Sequence, residues 1–372
     1  MTTPHLPAIQ DVNGVVGGYL RDLAYAQDTQ PKMFGYKRAA AAILGLERSL
    51  VDLVREHDNA IPRISGIGPA SARVIREVLD SGASPTVDRA VDASGRRPDI
   101  ERRRSLRRHF LSRAEVLRVL ADTTIGGPAA DEYLGDLQMH SEWSDGSSTV
   151  AAIAHACRAR GYRYAAVTDH SYGLKIAGGM SMQEASEQRR AIDAVNEEHG
   201  DAFRVLQGVE ANIGIDGELD LLHTEASVFD IVLAAPHSRL RKSDDQTQRM
   251  LRALEHPAVR ILAHPRGRIT GSRAGVVADW NAVFARAARR GIAVEIDGDP
   301  SRQDVDYDLA RQALEAGCLF ALDSDAHTTG QLAYAETAIA HARLAGIPAE
   351  RIVNYWTIDR LLAWIAEPCV FG

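Results

Sequence analysis

The sequence has few cysteines and no paired cysteine motif. Its 372 residues include three, Cys157, Cys318 and Cys369, which are widely spaced and form no Cys-x-x-Cys pair. An odd number of scattered cysteines argues against a disulfide framework and against a cysteine-based zinc or redox motif. We therefore expect buried free thiols.

Long apolar runs are also absent. No stretch reaches the roughly 18 apolar residues of a membrane-spanning helix, and the first residues lack the basic-then-apolar order of a secretory leader. Hydrophobic residues nevertheless make up 45% of the chain, which is enough for ordinary globular cores. We expect a cytoplasmic protein with no membrane partner.

Charge is distributed unevenly along the chain, whose formal net charge is −7. Residues 1–130 hold 19 Lys and Arg against 15 Asp and Glu, whereas residues 131–372 hold 24 against 35. An acidic half is expected where carboxylates gather cations, and a basic half is suited to a polyanion.

The first part of the chain has helical periodicity. Residues 11–58 are predicted to be helical, and a second Ala/Leu-rich stripe runs from Ala39 to Val54. The first apolar stripe consists of Val12, Val15, Leu20, Leu23 and Ala24.

A glycine-rich turn follows these helices. The stretch from Ile64 to Ile75 contains Gly66-Ile67-Gly68 and matches the helix-hairpin-helix pattern. Its glycines permit a tight turn that leaves backbone N–H groups at a helix N-terminus open to a nucleic-acid phosphate. Gly66, Gly68 and Arg73 are thus candidate DNA contacts. A helical hairpin that serves only in packing remains the alternative.

The connection to the second half is predicted from composition. Residues 81–99 are expected to be flexible because they are rich in Gly, Ser and Pro, and the arginine-rich run 101–110 is either a solvated face or an extended phosphate track. A helix capped by Ser112 should run through Leu120. The expected domains are a helical domain (1–95), a basic connecting segment (96–131) and a catalytic domain (132–372).

In the last two thirds, short apolar runs end repeatedly on histidine or a carboxylate. Such runs alternate with helical stretches, which predicts buried parallel strands in repeated β/α units. The ends of different strands converge on one face of a barrel, so these side chains should meet there. They are His140, His170, Glu210, His237, His264, Asp325 and His327.

These motifs, in this order, resemble the PHP (polymerase and histidinol phosphatase) family from about residue 133 onward. They are most like the C-terminal PHP region of bacterial family X DNA polymerases, and the Gly66-Ile67-Gly68 helices resemble the DNA-binding first domain of those enzymes. Only about 40 residues separate the two regions, too few for a polymerase palm and fingers. The resemblance implies an α/β fold, a distorted seven-stranded β/α barrel with a trinuclear metal centre, beside a smaller all-α domain.

The resemblance also implies a ligand set. Asp145, His170 and His327 would hold one ion; His237 and His264 would hold a second with Glu210 bridging; His140, Glu210 and Asp325 would hold a third. The remaining ligand in the family is a histidine, and here that position is Gln138. An amide oxygen is a weaker donor than imidazole for a borderline ion, so we expect two firm ions and one labile ion.

Imidazoles mixed with carboxylates suit Zn²⁺, Mn²⁺ or Fe²⁺ better than Mg²⁺ or Ca²⁺. Clustered ions lower the pKa of bound water to about 7 and stabilise displacement at phosphorus. We therefore expect a hydrolase that attacks phosphate esters with metal-activated hydroxide. Asp169, beside a ligand, is expected to orient its neighbours rather than bind an ion.

A phosphate substrate needs cationic anchors near the same rim. Four candidates follow strand ends: Lys175, Arg266, Arg268 and Arg302, with Arg268 where family X PHP regions usually have an arginine. Glu295 and Asp297 end another strand and are expected at the rim. In the helix after Gly68, the position of the family's lyase lysine is Val74, which argues against Schiff-base chemistry.

Three functions compete at this stage. The first is a DNA 3′–5′ exonuclease or repair-type nuclease, favoured by the helical hairpin. The second is a phosphatase for a small phosphomonoester of the histidinol phosphatase type, favoured by the acidic second half. The third is a DNA-binding protein that has lost activity. Its support is Gln138, which stands where the family has a histidine ligand.

Overall fold

A computed structural model of the chain describes residues 11–367. The chain forms two compact units. Among these residues, the first unit contains 11–122 together with Thr270–Ser272, and the second contains Thr123–Ile269 and 273–367.

The first unit is all helical within its described residues. Its core is apolar, with Val16, Leu20, Ile43, Val74 and Ile75 fully buried. The helix predicted after Ser112 is confirmed, and the Ser112 hydroxyl accepts a hydrogen bond from the Glu115 backbone N–H as its N-cap. The helices are α1 (Val12–Tyr25), α2 (Gln30–Leu44), α3 (Leu50–Glu56), α4 (Pro69–Ser81), α5 (Pro85–Ser94), α6 (Arg97–Ser105) and α7 (Arg113–Ala121).

Two local predictions for this unit are wrong. The stripe from Ala39 to Val54 is divided between α2 and α3, because the chain leaves the helix at Gly45 and restarts after the Ser49 cap. Residues 81–99, expected to be flexible, contain α5 and the start of α6. Ser84 as N-cap, Pro85 at the first helical position and Gly95 in the left-handed conformation are helix-boundary signals rather than signs of a loop.

The second unit is built on seven parallel strands that pair in sequence order. Each is followed by a helix on the way to the next, because parallel neighbours require a crossover connection. The strands are β1 (Gly135–Asp136), β2 (Tyr164–Val167), β3 (Arg204–Asn212), β4 (Ile231–Ala235), β5 (Val259–Leu262), β6 (Ala293–Asp297) and β7 (Leu319–Asp323). The helices are α8 (Val150–Ala159), α9 (Met182–His199), α10 (His223–Ala226), α11 (Thr247–Ala253), α12 (Trp280–Arg289), α13 (Tyr307–Glu315), α14 (Ala335–Ala345) and α15 (Ile358–Ala366).

The sheet nearly closes on itself just beyond its first and last strands. Met139 bridges Ala326 in parallel, and the His140 N–H donates to the Ala326 carbonyl at 2.8 Å. The expected distorted seven-stranded β/α barrel and the expected all-α region are therefore confirmed.

Side chains alternate between the barrel interior and the surrounding helices, as strand geometry requires. On β2, Tyr164 and Ala166 belong to the inner cluster, whereas Ala165 and Val167 pack in the cluster beneath α8 and α9. Trp356 and Trp364 complete the inner cluster. The barrel interior is thus a packed core, and its polar residues are displaced to the carboxyl ends of the strands.

Cys157 and Cys318 are buried free thiols, as expected, whereas Cys369 lies outside the described residues. Across residues 11–367, no helix combines the length and apolar character needed to cross a membrane.

Candidate metal centre

The predicted ligands all lie at one end of the barrel. Each follows or ends a strand at its carboxyl edge, where parallel strands bring distant parts of a chain together. The contributions are His140 and Asp145 after β1, His170 after β2, Glu210 in β3, His237 after β4, His264 after β5, and Asp325 and His327 after β7.

Asp145 is the centre of one group. Its Oδ1 lies 3.5 Å from His170 Nε2, 3.4 Å from His327 Nε2 and 3.8 Å from His140 Nδ1. One donor atom from each of these four residues lies within 4.8 Å of the others. This spacing is suited to ligands around a shared ion.

Glu210 is the centre of the larger arrangement and is fully buried. Its Oε1 lies 3.2 Å from His237 Nε2 and 2.8 Å from His264 Nε2. Its Oε2 lies 3.2 Å from His140 Nε2 and 3.3 Å from His170 Nδ1. Both carboxylate oxygens therefore face imidazole nitrogens, as a bridging carboxylate would.

Two groups that could hold an ion include Glu210. One combines it with His170 and His237, and the other with His140 and Asp325, whose Oδ1 lies 3.1 Å from His140 Nε2. His264 belongs to none of the three groups found among the described residues, although it contacts Glu210. The predicted residues therefore lie close together, but the predicted set of His237, His264 and Glu210 around one ion is not among these groups.

The buried donors are poorly satisfied by the protein itself. His140 Nδ1, His170 Nδ1, His264 Nδ1 and Glu210 Oε2 have no hydrogen-bond partner, and neither does the side-chain amide of Gln138. Buried polar atoms normally have partners, since leaving one unpaired costs about 1–3 kcal/mol. Divalent cations would satisfy these atoms, so the residues present fit a metal centre.

The backbone at two of these positions is strained. His264 has φ +23° and Asp325 has φ +50°, a region that costs energy for residues other than glycine. Gly146 allows the loop beside Asp145 to fold tightly, because a Cβ there would lie 2.2 Å from the His140 carbonyl oxygen. Strained conformations of this kind cluster at functional sites.

Asp169 orients the loop that carries Asp145. Its carboxylate accepts hydrogen bonds from the Ser141 N–H at 2.9 Å, the Ser144 hydroxyl at 2.5 Å and the Gln188 amide at 2.6 Å. These donors occupy both of its oxygens. The contacts support the prediction that Asp169 positions its neighbours.

Other positioning residues were missed or only partly foreseen. Asn212 Oδ1 lies 3.3 Å from His237 Nδ1, and a signal for it exists, because it stands two residues after Glu210 on the same strand face. Asp220 accepts from Ser171 at 2.7 Å, a contact that sequence spacing does not reveal. Glu295, expected at the rim, accepts the His264 backbone N–H at 2.5 Å and so holds that strand end.

The surroundings shift the pKa values of the buried site residues in different directions. Burial and the positive charge of Arg302 lower the pKa of His264, which favours the neutral imidazole that binds metals. Burial opposes the charged form of His140, but the neighbouring carboxylates of Asp325 and Glu210 raise its pKa. Burial raises the pKa of Glu295, and the charges of Asp323, Asp297 and Asp325 raise it further.

Two of the predicted phosphate anchors form ion pairs and hydrogen bonds within the protein. Arg266 pairs with Asp304 at 3.0 Å and with Asp306 at 2.6 Å. Arg268 is 6% exposed and pairs with Asp306 at 2.8 Å, while its other nitrogens donate to backbone carbonyls of the loop after β6. Their contacts indicate that both arginines position this loop.

The other two predicted anchors differ in placement. Arg302 lies in the loop after β6 with Nη1 3.2 Å from Asp325 Oδ2, at the metal-ligand cluster itself. Lys175 begins a short 3₁₀ turn after His170 and is exposed. Asp297, also expected at the rim, is fully buried, with its Oδ2 3.9 Å from Arg302 Nε.

In the helical unit, the glycine turn has the predicted local geometry. Gly66 has φ +82°, Gly68 is the N-cap of α4, and both are exposed, as is Arg73. Val74 is fully buried in the helical core, where a lysine amine would not be presented to a substrate.

The arginine run beyond this turn is largely engaged in ion pairs. Arg104 and Arg107 lie 2.6 and 2.5 Å from the two carboxylate oxygens of Asp22, and Arg102 and Arg103 lie 2.9 and 2.8 Å from those of Asp99. These pairs argue for a structural role over an extended phosphate track.

The sequence of this chain is similar to those of known proteins. No family model matches the chain. The DNA polymerase/3′-5′ exonuclease PolX of Bacillus subtilis is 36% identical over 232 residues, which are 62% of this chain and 40% of PolX. The match therefore spans less than half of that relative.

Further similarities are to phosphatases. A protein of Shewanella sediminis named "Probable phosphatase" is 30% identical over 237 residues, 60% of this chain and 90% of the relative. A crystal structure of histidinol phosphate phosphatase from Lactococcus lactis, complexed with zinc, L-histidinol and phosphate, is 16% identical with a TM-score of 0.41 and covers 56% of this chain and 94% of its own.

The Shewanella protein is matched over nine tenths of its length, and the histidine and carboxylate motifs of the sequence converge at one barrel rim. On this evidence the chain belongs to the PHP (polymerase and histidinol phosphatase) family of metal-dependent phosphoesterases.

Proposed function

We propose that the chain is a nuclease that hydrolyses DNA phosphodiesters, as a 3′–5′ exonuclease or a repair-type nuclease. The observation that carries the proposal is the combination of the barrel-rim ligand cluster with 36% identity to a DNA polymerase/3′-5′ exonuclease. DNA is accordingly the proposed partner and the phosphodiester the proposed substrate.

The helical unit supports DNA as the substrate. The turn between α3 and α4 is exposed at both glycines, and a Cβ at Gly68 would meet nothing within 4 Å. Backbone N–H groups in the first turn of a helix have no helical partner and bind phosphate readily. Arg73, one turn further on and exposed, is placed to add a charge-assisted contact.

The proposed cofactors are two to three divalent transition-metal ions, Zn²⁺, Mn²⁺ or Fe²⁺. Asp145, His170 and His327 would hold one, and His237 and His264 a second with Glu210 bridging. His140, Glu210 and Asp325 would hold the third, with Gln138 as a weak ligand. Bound ions of this kind supply a nucleophile at neutral pH and charge stabilisation at phosphorus.

The chain's own residues prepare this centre. Glu210 keeps four imidazoles within 3.3 Å of its two oxygens, and Asp169 fixes the loop that carries Asp145. Arg302 presents its guanidinium beside Asp325 and is the proposed phosphate contact with the strongest structural support. Lys175, in the loop that follows His170, is a second proposed phosphate contact. Arg266 and Arg268 are proposed to act indirectly, by positioning the loop that carries Arg302.

A small-molecule phosphomonoesterase is the second candidate. It is favoured by the similarity to proteins named probable phosphatases and by the excess of acidic residues in positions 131–372. The two candidates share the chemistry of the centre and differ in whether the helical unit contributes to substrate binding.

Full-length protein loaded with Mn²⁺ or Zn²⁺ should be assayed on 5′-labelled single-stranded DNA, abasic duplex DNA and p-nitrophenyl phosphate. The proposal predicts stepwise shortening of the labelled strand from its 3′ end or incision at the abasic site. Glu210→Gln is the matched inactive control. Hydrolysis of the phosphomonoester without DNA cleavage would favour the second candidate.

A further inference from the structure

Arg302 places a permanent positive charge at the metal-ligand cluster. Its Nη1 lies 3.2 Å from Asp325 Oδ2, and Asp325 is 2% exposed, whereas 24% of the Arg302 side chain remains exposed. The geometry of this ion pair is not that of a hydrogen bond, since Asp325 Oδ2 has no hydrogen-bond partner. An arginine does not lose its proton in proteins, so the charge is fixed.

The loop that carries Arg302 is held by buried contacts. Arg268 donates from Nε to the Arg302 carbonyl at 2.9 Å and from Nη2 to the Gln303 carbonyl at 2.6 Å. The Gly267 N–H donates to Asp304 Oδ2 at 2.7 Å. Gln303 itself has φ +45°, a conformation that persists only where surrounding contacts impose it. The backbone that carries the Arg302 side chain is therefore held in place by the fold.

A weak donor also stands close to His140 in the sequence. Gln138 is fully buried, and neither atom of its amide has a hydrogen-bond partner. It stands two residues before His140 in the sequence. An amide is a neutral donor and a weaker one than imidazole for a borderline ion.

Asp325 is thus shared between His140 and Arg302. Its Oδ1 faces His140 at 3.1 Å, in the group formed with Glu210, and its Oδ2 faces Arg302. A cation placed in that group would be repelled by the guanidinium across a short, poorly solvated distance. A phosphate ester would still find positive charge there, because guanidinium binds phosphate oxygens well.

We infer that Arg302 replaces the charge of one ion at the His140–Glu210–Asp325 group, so that the chain works with two tightly bound ions and one fixed guanidinium. The inference rests on the proposed phosphoesterase function. On this inference, a third ion binds weakly for two reasons, the positive charge of Arg302 and the weak amide donor of Gln138.

The test is the number of ions bound per chain. Wild-type protein, Arg302→Gln and Arg302→Lys are equilibrated with Mn²⁺ over a range of concentrations, and bound metal is measured by elemental analysis and by calorimetric titration. We expect about two tightly bound ions in the wild type. Arg302→Gln should bind a third at least about tenfold more tightly than the wild type does. Arg302→Lys, which keeps the charge, should resemble the wild type.

Arg302→Met is a second uncharged variant in case the glutamine variant does not fold, and circular dichroism monitors folding of each. The double variant Gln138→His/Arg302→Gln should show the tightest third ion. Three equally tight ions in the wild type, or a third-ion affinity that the folded uncharged variants leave unchanged or lower, would overturn the inference. Because ion counting does not depend on turnover, the absence of DNA or phosphomonoester hydrolysis would remove the proposed function and leave this result standing.

Discussion

The helical unit and the barrel bury polar side chains in different ways. In the helical unit, buried Asp22 binds Arg104 and Arg107, and the buried amide of Asn13 donates to the Arg48 carbonyl at 3.0 Å and accepts from the Leu50 N–H at 2.8 Å. The carboxylate of Asp22 and the amide of Asn13 are thus satisfied by the protein itself and hold helices together. Each of the two arginines keeps one buried nitrogen without a hydrogen-bond partner, Arg104 Nη2 and Arg107 Nη1.

At the carboxyl end of the barrel, buried polar atoms accumulate without partners. Gln138, His140, His264 and Glu210 each contribute at least one such atom. Each unpaired atom would cost about 1–3 kcal/mol if nothing else satisfied it. The difference teaches that burial alone does not mark a functional site, whereas buried and unsatisfied donors converging on one region do.

The largest effect is expected from removing a donor of the barrel cluster. His264→Ala should lower phosphoesterase turnover on the order of a hundredfold or more, because the transition-state charge loses a stabilising ion. Turnover and bound metal are measured together. His155→Ala, on the exposed side of α8, is the matched control and should change neither quantity. Wild-type turnover with full metal content in His264→Ala would remove it from the site.

A core substitution in the helical unit should leave the barrel centre intact. Leu20 is fully buried, so Leu20→Ala should lower the free energy of unfolding of that unit by about 2–5 kcal/mol. Bound metal should stay unchanged, because every predicted ligand lies in the other unit. Thermal unfolding and elemental analysis provide the two measurements, with Leu222→Ala, which is 64% exposed, as the control. Loss of metal in Leu20→Ala would contradict the separation of roles.

Weakening a positioning residue should have an intermediate effect. Asp169→Asn removes charge from a carboxylate that holds Ser141, Ser144 and Gln188, and should lower metal affinity or activity about 10–100-fold. Metal titration of the variant measures this directly. Asp193→Asn, exposed on α9, provides the control. An unchanged affinity together with unchanged activity would mean that the loop keeps its position without Asp169.

The smallest effect is expected at the proposed DNA contact of the helical unit. Arg73→Ala should weaken single-stranded DNA binding and reduce the slope of log affinity against log salt by about 0.7, the value for one phosphate contact. Hydrolysis of p-nitrophenyl phosphate should not change. Fluorescence anisotropy across a salt series measures the slope, with the exposed Arg158→Ala of the barrel as control. An unaltered slope would count against DNA binding at the α3–α4 turn.

The barrel and its ligand cluster were largely predictable from the sequence. Histidines and carboxylates such as His170 and His264 end apolar runs that can only be buried strands, and strand ends converge by geometry alone. Hydrogen-bond partners were not predictable in the same way. Arg268 looks like a phosphate anchor in sequence, yet its nitrogens are bound by Asp306 and by backbone carbonyls that a linear pattern does not place nearby.

Local boundaries failed for a related reason. Between residues 81 and 99, Ser, Pro and Gly suggested a flexible connection, although the same residues cap both ends of α5. Whether Ser84 and Gly95 mark a loop or a short helix depends on whether Val87 and Val91 find a core, and both are fully buried against the other helices. Such tertiary packing is not visible in the local sequence.

The most direct test of the account is to measure metal content and phosphoesterase activity on the same full-length sample, before chelation, after chelation and after metal is restored. The account predicts two to three transition-metal ions per chain, activity that disappears with them, and recovery when Zn²⁺ or Mn²⁺ returns. A protein that carries no metal and keeps full activity in excess chelator would contradict it.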